Sequence, residues 1–180
     1  MTEPQIHGSV LYYADQLVAE FVRVRIPHLR NQTFGKCTAL GVVRRNLTGG
    51  DPILVGGVVF TNARMNSQGA VYDIEMSGAF DDGTWCKPST LRRLFSYPFI
   101  DLKCVRLTTT TAKKNKRARR LDVALGFVLE GIGRKALDGV NDAAVYSMLR
   151  EECWWIDRSA TRPPIFDQMM KKRGPAVKED

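Results

Sequence analysis

The chain has 180 residues, 44% hydrophobic and 26% charged, with a formal net charge of +8. That is the length and composition of one soluble globular domain with a substantial core, and no apolar run nears the roughly 18–20 residues that span a bilayer. The basic balance favours polyanionic partners, whether nucleic acid, phosphates or an acidic protein, and does not choose among them.

Met1 to His7 has no basic stretch followed by an apolar one, so no secretory signal is read there and a cytoplasmic location is expected. Cys37, Cys86, Cys104 and Cys153 are widely spaced and the histidines are His7 and His28. That spacing predicts reduced cysteines and no metal site. Ser9 to Tyr13 reads as a strand. A helix follows, capped by Asp15, with Leu17, Val18, Phe21 and Val22 at helical spacing and a stop near Pro27. Cys37–Arg45 and Ile53–Thr61 read as a β-hairpin around the turn-forming residues Asn46 to Pro52. Ala70 to Met76 is a further strand, and Ser77 to Thr84 reads as a loop. Pro88 suits the first turn of a helix through Leu91, Leu94 and Phe95, which Pro98 is expected to end. Cys104 to Thr111 is β-branched and reads as a strand. A basic helix begins at Asn115, with Ala118, Leu121 and Leu125 on one face and Gly126 as its left-handed stop. Phe127–Lys135 and Ala143–Arg150 are closing strands around a turn at Asp138–Asp142. Arg158 to Asp180 reads as a charged tail with a short helix at Phe166–Lys172. The order of elements is mixed, an α+β (mixed α/β) arrangement rather than a doubly wound one.

Asn115-Lys-Arg-Ala-Arg-Arg-Leu-Asp-Val-Ala-Leu-Gly-Phe127, followed by Val128-Leu-Glu-Gly131, resembles the signature Asn-x-x-Ala/Ser…Gly-Phe…Glu-Gly of the GCN5-related N-acetyltransferase (GNAT) superfamily. Leu91 to Phe99, Cys104 to Thr108 and Asp142 to Glu152 are similar to the family's central helix, the strand after it and the closing strand. The ribosomal-protein acetyltransferase-like branch, including phage-encoded forms, is the most similar, and the resemblance spans Ser9 to Trp155. It implies one acyltransferase domain over residues 1–157. It also implies a mixed sheet that splays between two central strands, flanked by helices, with acetyl-CoA in the opening. The pantetheine arm would run along the strand holding Ile74 and Met76. The pyrophosphate would sit at the helix start after the loop carrying Gly83, Thr84, Lys87, Ser89 and Thr90, where unpaired amides and the helix dipole favour anions.

The resemblance further implies direct attack of a primary amine on the thioester. Glu75 is then the candidate general base, through water, and Tyr146 the candidate acid. Asn115 would contact the cofactor as well as cap its helix, and Lys113 would meet the CoA phosphates. Two positions depart from the family pattern. The phosphate loop holds one glycine and contains Pro88, which lacks an N–H. Asp122 stands where many relatives carry a tyrosine, and the basic residues around it are expected to hold it ionised.

Competing readings remain open at this level. Glu75 is otherwise an ordinary strand carboxylate, and Tyr146 a core or sheet tyrosine. Trp85 belongs to the core or stacks on a ligand. Lys113 to Arg120 hold CoA phosphates, bind nucleic acid, or form a solvated face. Nucleic acid is not favoured, because the basic run lacks interleaved aromatics. A homo-oligomer is compatible with the chain. A catalytically inactive binding protein on the same fold, such as a phage component, is the alternative to an enzyme.

Overall fold

The computed structural model describes residues 2–161. The expected helix at Phe166–Lys172 lies outside them. Among the described residues there are eight strands and three α-helices, and no helix is long and apolar enough to cross a membrane. The chain forms two compact units that divide between Thr108 and Thr109.

In the first unit β1 (Gln5–His7), β2 (Val10–Tyr12), β3 (Thr38–Arg44), β4 (Ile53–Met65) and β5 (Val71–Phe80) lie side by side in chain order, each antiparallel to the next. β5 then pairs in parallel with β6 (Arg106–Ala112), Asp73 to Glu75 against Arg106 to Thr108. The hairpin around Asn46–Pro52 forms as the turn residues dictate. β1 was not legible, being three exposed residues with no apolar alternation.

α1 (Asp15–Arg25) covers this sheet with Val18 and Val22, which are buried among Leu11, Ala39, Val43 and Val59. Two glycines let it approach. Gly41 and Gly57 face each other across β3 and β4. A Cβ on Gly57 would meet a Val18 methyl at 2.5 Å, and one on Gly41 at 3.0 Å. Each valine seated there contributes about 1.5–3 kcal/mol of burial. Asp15 is not the helix cap. Ala14 holds that position without a side-chain hydrogen bond, and the Asp15 carboxylate accepts from the Ala39 amide at 2.6 Å, tying α1 to β3.

α2 (Pro88–Ser96) starts at its proline as expected and buries Leu91, Leu94 and Phe95, an i, i+3, i+4 stripe. Pro98 does not end the winding. The chain continues through Tyr97–Asp101 as a wider turn, closed by the Leu102 amide on the Tyr97 carbonyl. In the second unit α3 (Lys116–Leu125) has Asn115 as N-cap, its side chain accepting from the Ala118 amide at 3.1 Å, and Gly126 as a left-handed stop at φ 107°. β7 (Val128–Gly133) and β8 (Ala143–Leu149) pair antiparallel.

Candidate active site

β5 carries the first group of functional candidates. Ile74 and Met76 are buried, so their side chains belong to the core and their contribution to a ligand is main chain. Asp73 and Glu75 point to the opposite face, as strand alternation requires. Asp73 is 2% exposed. Its carboxylate is held by Arg64 at 2.7 Å, Arg106 at 3.2 Å and the Thr108 hydroxyl at 2.8 Å. This cluster ties β4, β5 and β6 together and leaves Asp73 committed to structure. Glu75 is half-buried and pairs in register with Thr61. Its carboxylate accepts from the Asn62 side-chain amide at 2.8 Å. β5 continues to Phe80, not stopping at Met76, because Ser77 to Phe80 pair with Gly56 to Val59 of β4; the expected loop from Ser77 is therefore strand for its first four residues.

Asp82 begins the connection to α2. Its carboxylate accepts from the Thr84 amide at 2.8 Å, so that donor is already engaged. Gly83 precedes a 3₁₀ turn at Thr84–Cys86. Trp85 is buried and stacks on Phe80 with ring centroids 4.8 Å apart, which makes it core and not a ligand platform. The Thr90 hydroxyl is 1% exposed and shares a 2.6 Å hydrogen bond with Ser9. The Thr90 side chain is therefore committed to that bond. No side chain caps α2, so its first-turn amides have no capping partner; Ser89 there is exposed, while Thr90 is buried as a whole residue. Lys87 and Ser89 are exposed.

The second unit holds the other group. Lys113, Lys114, Arg119, Val140, Asn141 and Asp142 line a cleft of about 470 Å³. Lys113 pairs with Asp142 at 3.1 Å and Lys114 donates to the Asn141 side-chain oxygen at 2.6 Å. The Lys135 amide and the Lys113 ammonium hold the Asp142 carboxyl below its usual range. Arg119 donates to the Tyr146 hydroxyl at 3.0 Å. Tyr146 is 1% exposed, and this guanidinium is its hydroxyl's partner among the described residues. Asn141 and Asp142 were not singled out in the sequence, and Arg119 was read only as part of the run Lys113 to Arg120; the Asp138–Asp142 turn was legible, but not that it faces the start of α3. Lys113, Lys114, Lys116, Arg117 and Arg120 are exposed, as a solvated face would be.

Asp122 departs from expectation. Burial pushes its carboxyl up to about 7, and its Oδ2 is buried with no hydrogen-bond partner. The nearby cations do not hold it ionised, because the carboxyl is buried while Lys116, Arg117 and Arg120 are exposed and Arg119 is engaged with Tyr146. The four cysteines are free, and burial raises the Cys104 and Cys153 thiols to about 11, which removes them as nucleophiles at neutral pH.

No protein-family profile matches the chain, and no curated protein matches its sequence. Solved structures do match its fold. A ribosomal-protein-S5-alanine acetyltransferase from Vibrio fischeri superposes with a TM-score of 0.57 at 13% identity, covering 84% of this chain and 99% of that one. A GNAT-family acetyltransferase from Bacillus anthracis gives 0.56 at 17% identity, covering 83% and 100%. RimJ from Mycobacterium smegmatis, solved in complex with CoA-disulfide, gives 0.50 at 17% identity, covering 70% of this chain and 57% of that one. The mixed α/β chain described here has the fold of the GNAT acetyltransferases.

Proposed function

We propose that the chain is an acetyl-CoA-dependent N-acetyltransferase working in the cytoplasm, one acyltransferase domain over residues 1–157, acting on a primary amine such as a protein N-terminus, a lysine or a small amine. The observation that supports it most is the fold, matched over 83–84% of the chain by acetyltransferases. Acetyl-CoA supplies an activated thioester whose carbonyl the amine attacks directly.

Two features of the chain suit that cosubstrate. The uncapped start of α2 offers the exposed Ser89 to a phosphate, with Gly83, Thr84 and Lys87 forming the approach and Thr90 packed beneath it. The cleft lined by Lys113, Lys114 and Arg119 offers cations to further phosphates. The backbone of Ile74 and Met76 holds the extended arm as an added strand would, and Asn115 orients it from the start of α3. Glu75 receives the ammonium proton through water. Tyr146 returns a proton to the leaving thiolate, and Asp122, neutral up to about pH 7, is a second donor.

A catalytically inactive binding protein on this fold, for instance a phage component, is the second reading. It is favoured by the phosphate loop, where the Thr84 amide is already held by Asp82 and Pro88 has no N–H. Thiol release from acetyl-CoA, screened over a panel of amines, separates the two. We expect turnover with at least one amine, lowered roughly 10²–10⁴-fold by Glu75→Gln with the KM for acetyl-CoA little changed. Undiminished turnover in that variant removes Glu75 as the base. CoA binding without thiol release from any amine supports the second reading.

A further inference from the structure

We propose that Asn62 is a positioning residue that fixes the Glu75 carboxylate through a strained bulge in β4; this rests on the reading of Glu75 as the base. Three observations converge on Asn62. The β4–β5 register shifts between Thr61 and Arg64, immediately beyond the Thr61–Glu75 pair. Asn62 adopts φ 51°, a left-handed conformation in the middle of a strand. Its amide nitrogen lies 2.8 Å from Glu75 Oε2.

A left-handed residue inside a strand costs stability for any side chain with a Cβ, and asparagine tolerates it better than most. Strain of this kind persists where the surrounding structure fixes it, and it clusters at functional sites. Here the bulge turns one side chain of β4 onto the carboxylate of its neighbour. A carboxylate only accepts, so the amide must present its nitrogen, and the orientation is determined. The donor is neutral. A guanidinium in its place would pair with the charge of the carboxylate, as Arg64 and Arg106 do with Asp73. The amide instead restricts the carboxylate's rotation with a neutral donor. Two carboxylates on one face of β5 thus have different fates, one neutralised by cations and one aimed by an amide.

The test is a double-mutant cycle on turnover with Asn62→Gly and Glu75→Gln, read alongside the melting temperature and the KM for acetyl-CoA. Glycine keeps the left-handed backbone and removes the amide. The expected result is a roughly tenfold or greater fall in kcat for Asn62→Gly, as for loss of a hydrogen bond to a charged group, with KM for acetyl-CoA and folding retained. The same substitution should cost little further in the Glu75→Gln background, because Asn62 acts through Glu75. Asn62→Ala, which also opposes the backbone, should lower the melting temperature more than Asn62→Gly. If Glu75→Gln is impaired but Asn62→Gly turns over like wild type, or the two losses multiply independently, the positioning role is overturned while the base assignment stands. If Glu75→Gln turns over normally, the base assignment fails and this inference falls with it.

Discussion

Asp122 shows how a single side chain can be misread when charge is counted without direction. It lies four residues after Ala118 and three before Leu125, which places it on the inward stripe of α3. Of the cations before it in α3, Lys116, Arg117 and Arg120 are exposed, and the half-buried Arg119 donates to the Tyr146 hydroxyl. The spacing was therefore present in the sequence, and helical geometry decides against simple proximity. The consequence is a pH dependence of stability. The unfolded carboxyl titrates near its ordinary value of 3.8 and the folded one near 7. Below about pH 4 both states are protonated and Asp122 costs nothing. Between about 4 and 7 the unfolded state gives up the proton first, so stability falls as pH rises, and above 7 the full cost is present. Asp122→Asn removes that titration. Its stability advantage over wild type should grow by about 3 kcal/mol between pH 5 and pH 8, at roughly 1.4 kcal/mol per pH unit below 7. Urea melts at the two pH values measure it, and a constant difference would contradict the burial argument.

At the scale of elements, what was legible was what local chemistry dictates. α3 begins at an asparagine cap and stops at a left-handed glycine, and both signals lie within its own residues. The Pro88 start of α2 is equally local. The misread elements depend on distant partners. Ser77 and Gly78 look like loop until Gly56 to Val59 pair with that segment, and Asp15 looks like a cap until the Ala39 amide claims its carboxylate. The bulge at Asn62 had one faint sign, an asparagine in a β-branched run. The start of α3 carries a prediction of its own. Reversing Lys113 and Lys114 to glutamate should weaken CoA roughly tenfold at low salt, more than it weakens pantetheine, which lacks the phosphates. The difference should shrink as salt rises, because charges at such an exposed cleft are screened over about 10 Å at 0.1 M. Equal weakening of both ligands in a titration series would mean that the two lysines form only a solvated face.

At the scale of the whole molecule, the order and spacing of segments from Leu91 to Trp155 conveyed the fold better than any one motif did. Composition alone reached only a basic mixed domain. The two catalytic candidates were found as residue types on strands, while their partners, Asn62 for Glu75 and Arg119 for Tyr146, come from β4 and α3 and depend on packing that sequence spacing does not encode. The account as a whole depends on the fold being put to use as an acyl-CoA site. Calorimetric titration of the full chain with acetyl-CoA and with free CoA tests that most directly. The account predicts saturable binding of both, with a rise in melting temperature that grows with ligand concentration, since a ligand of the native state stabilises it by mass action. No heat of binding and no thermal shift at millimolar CoA would contradict it.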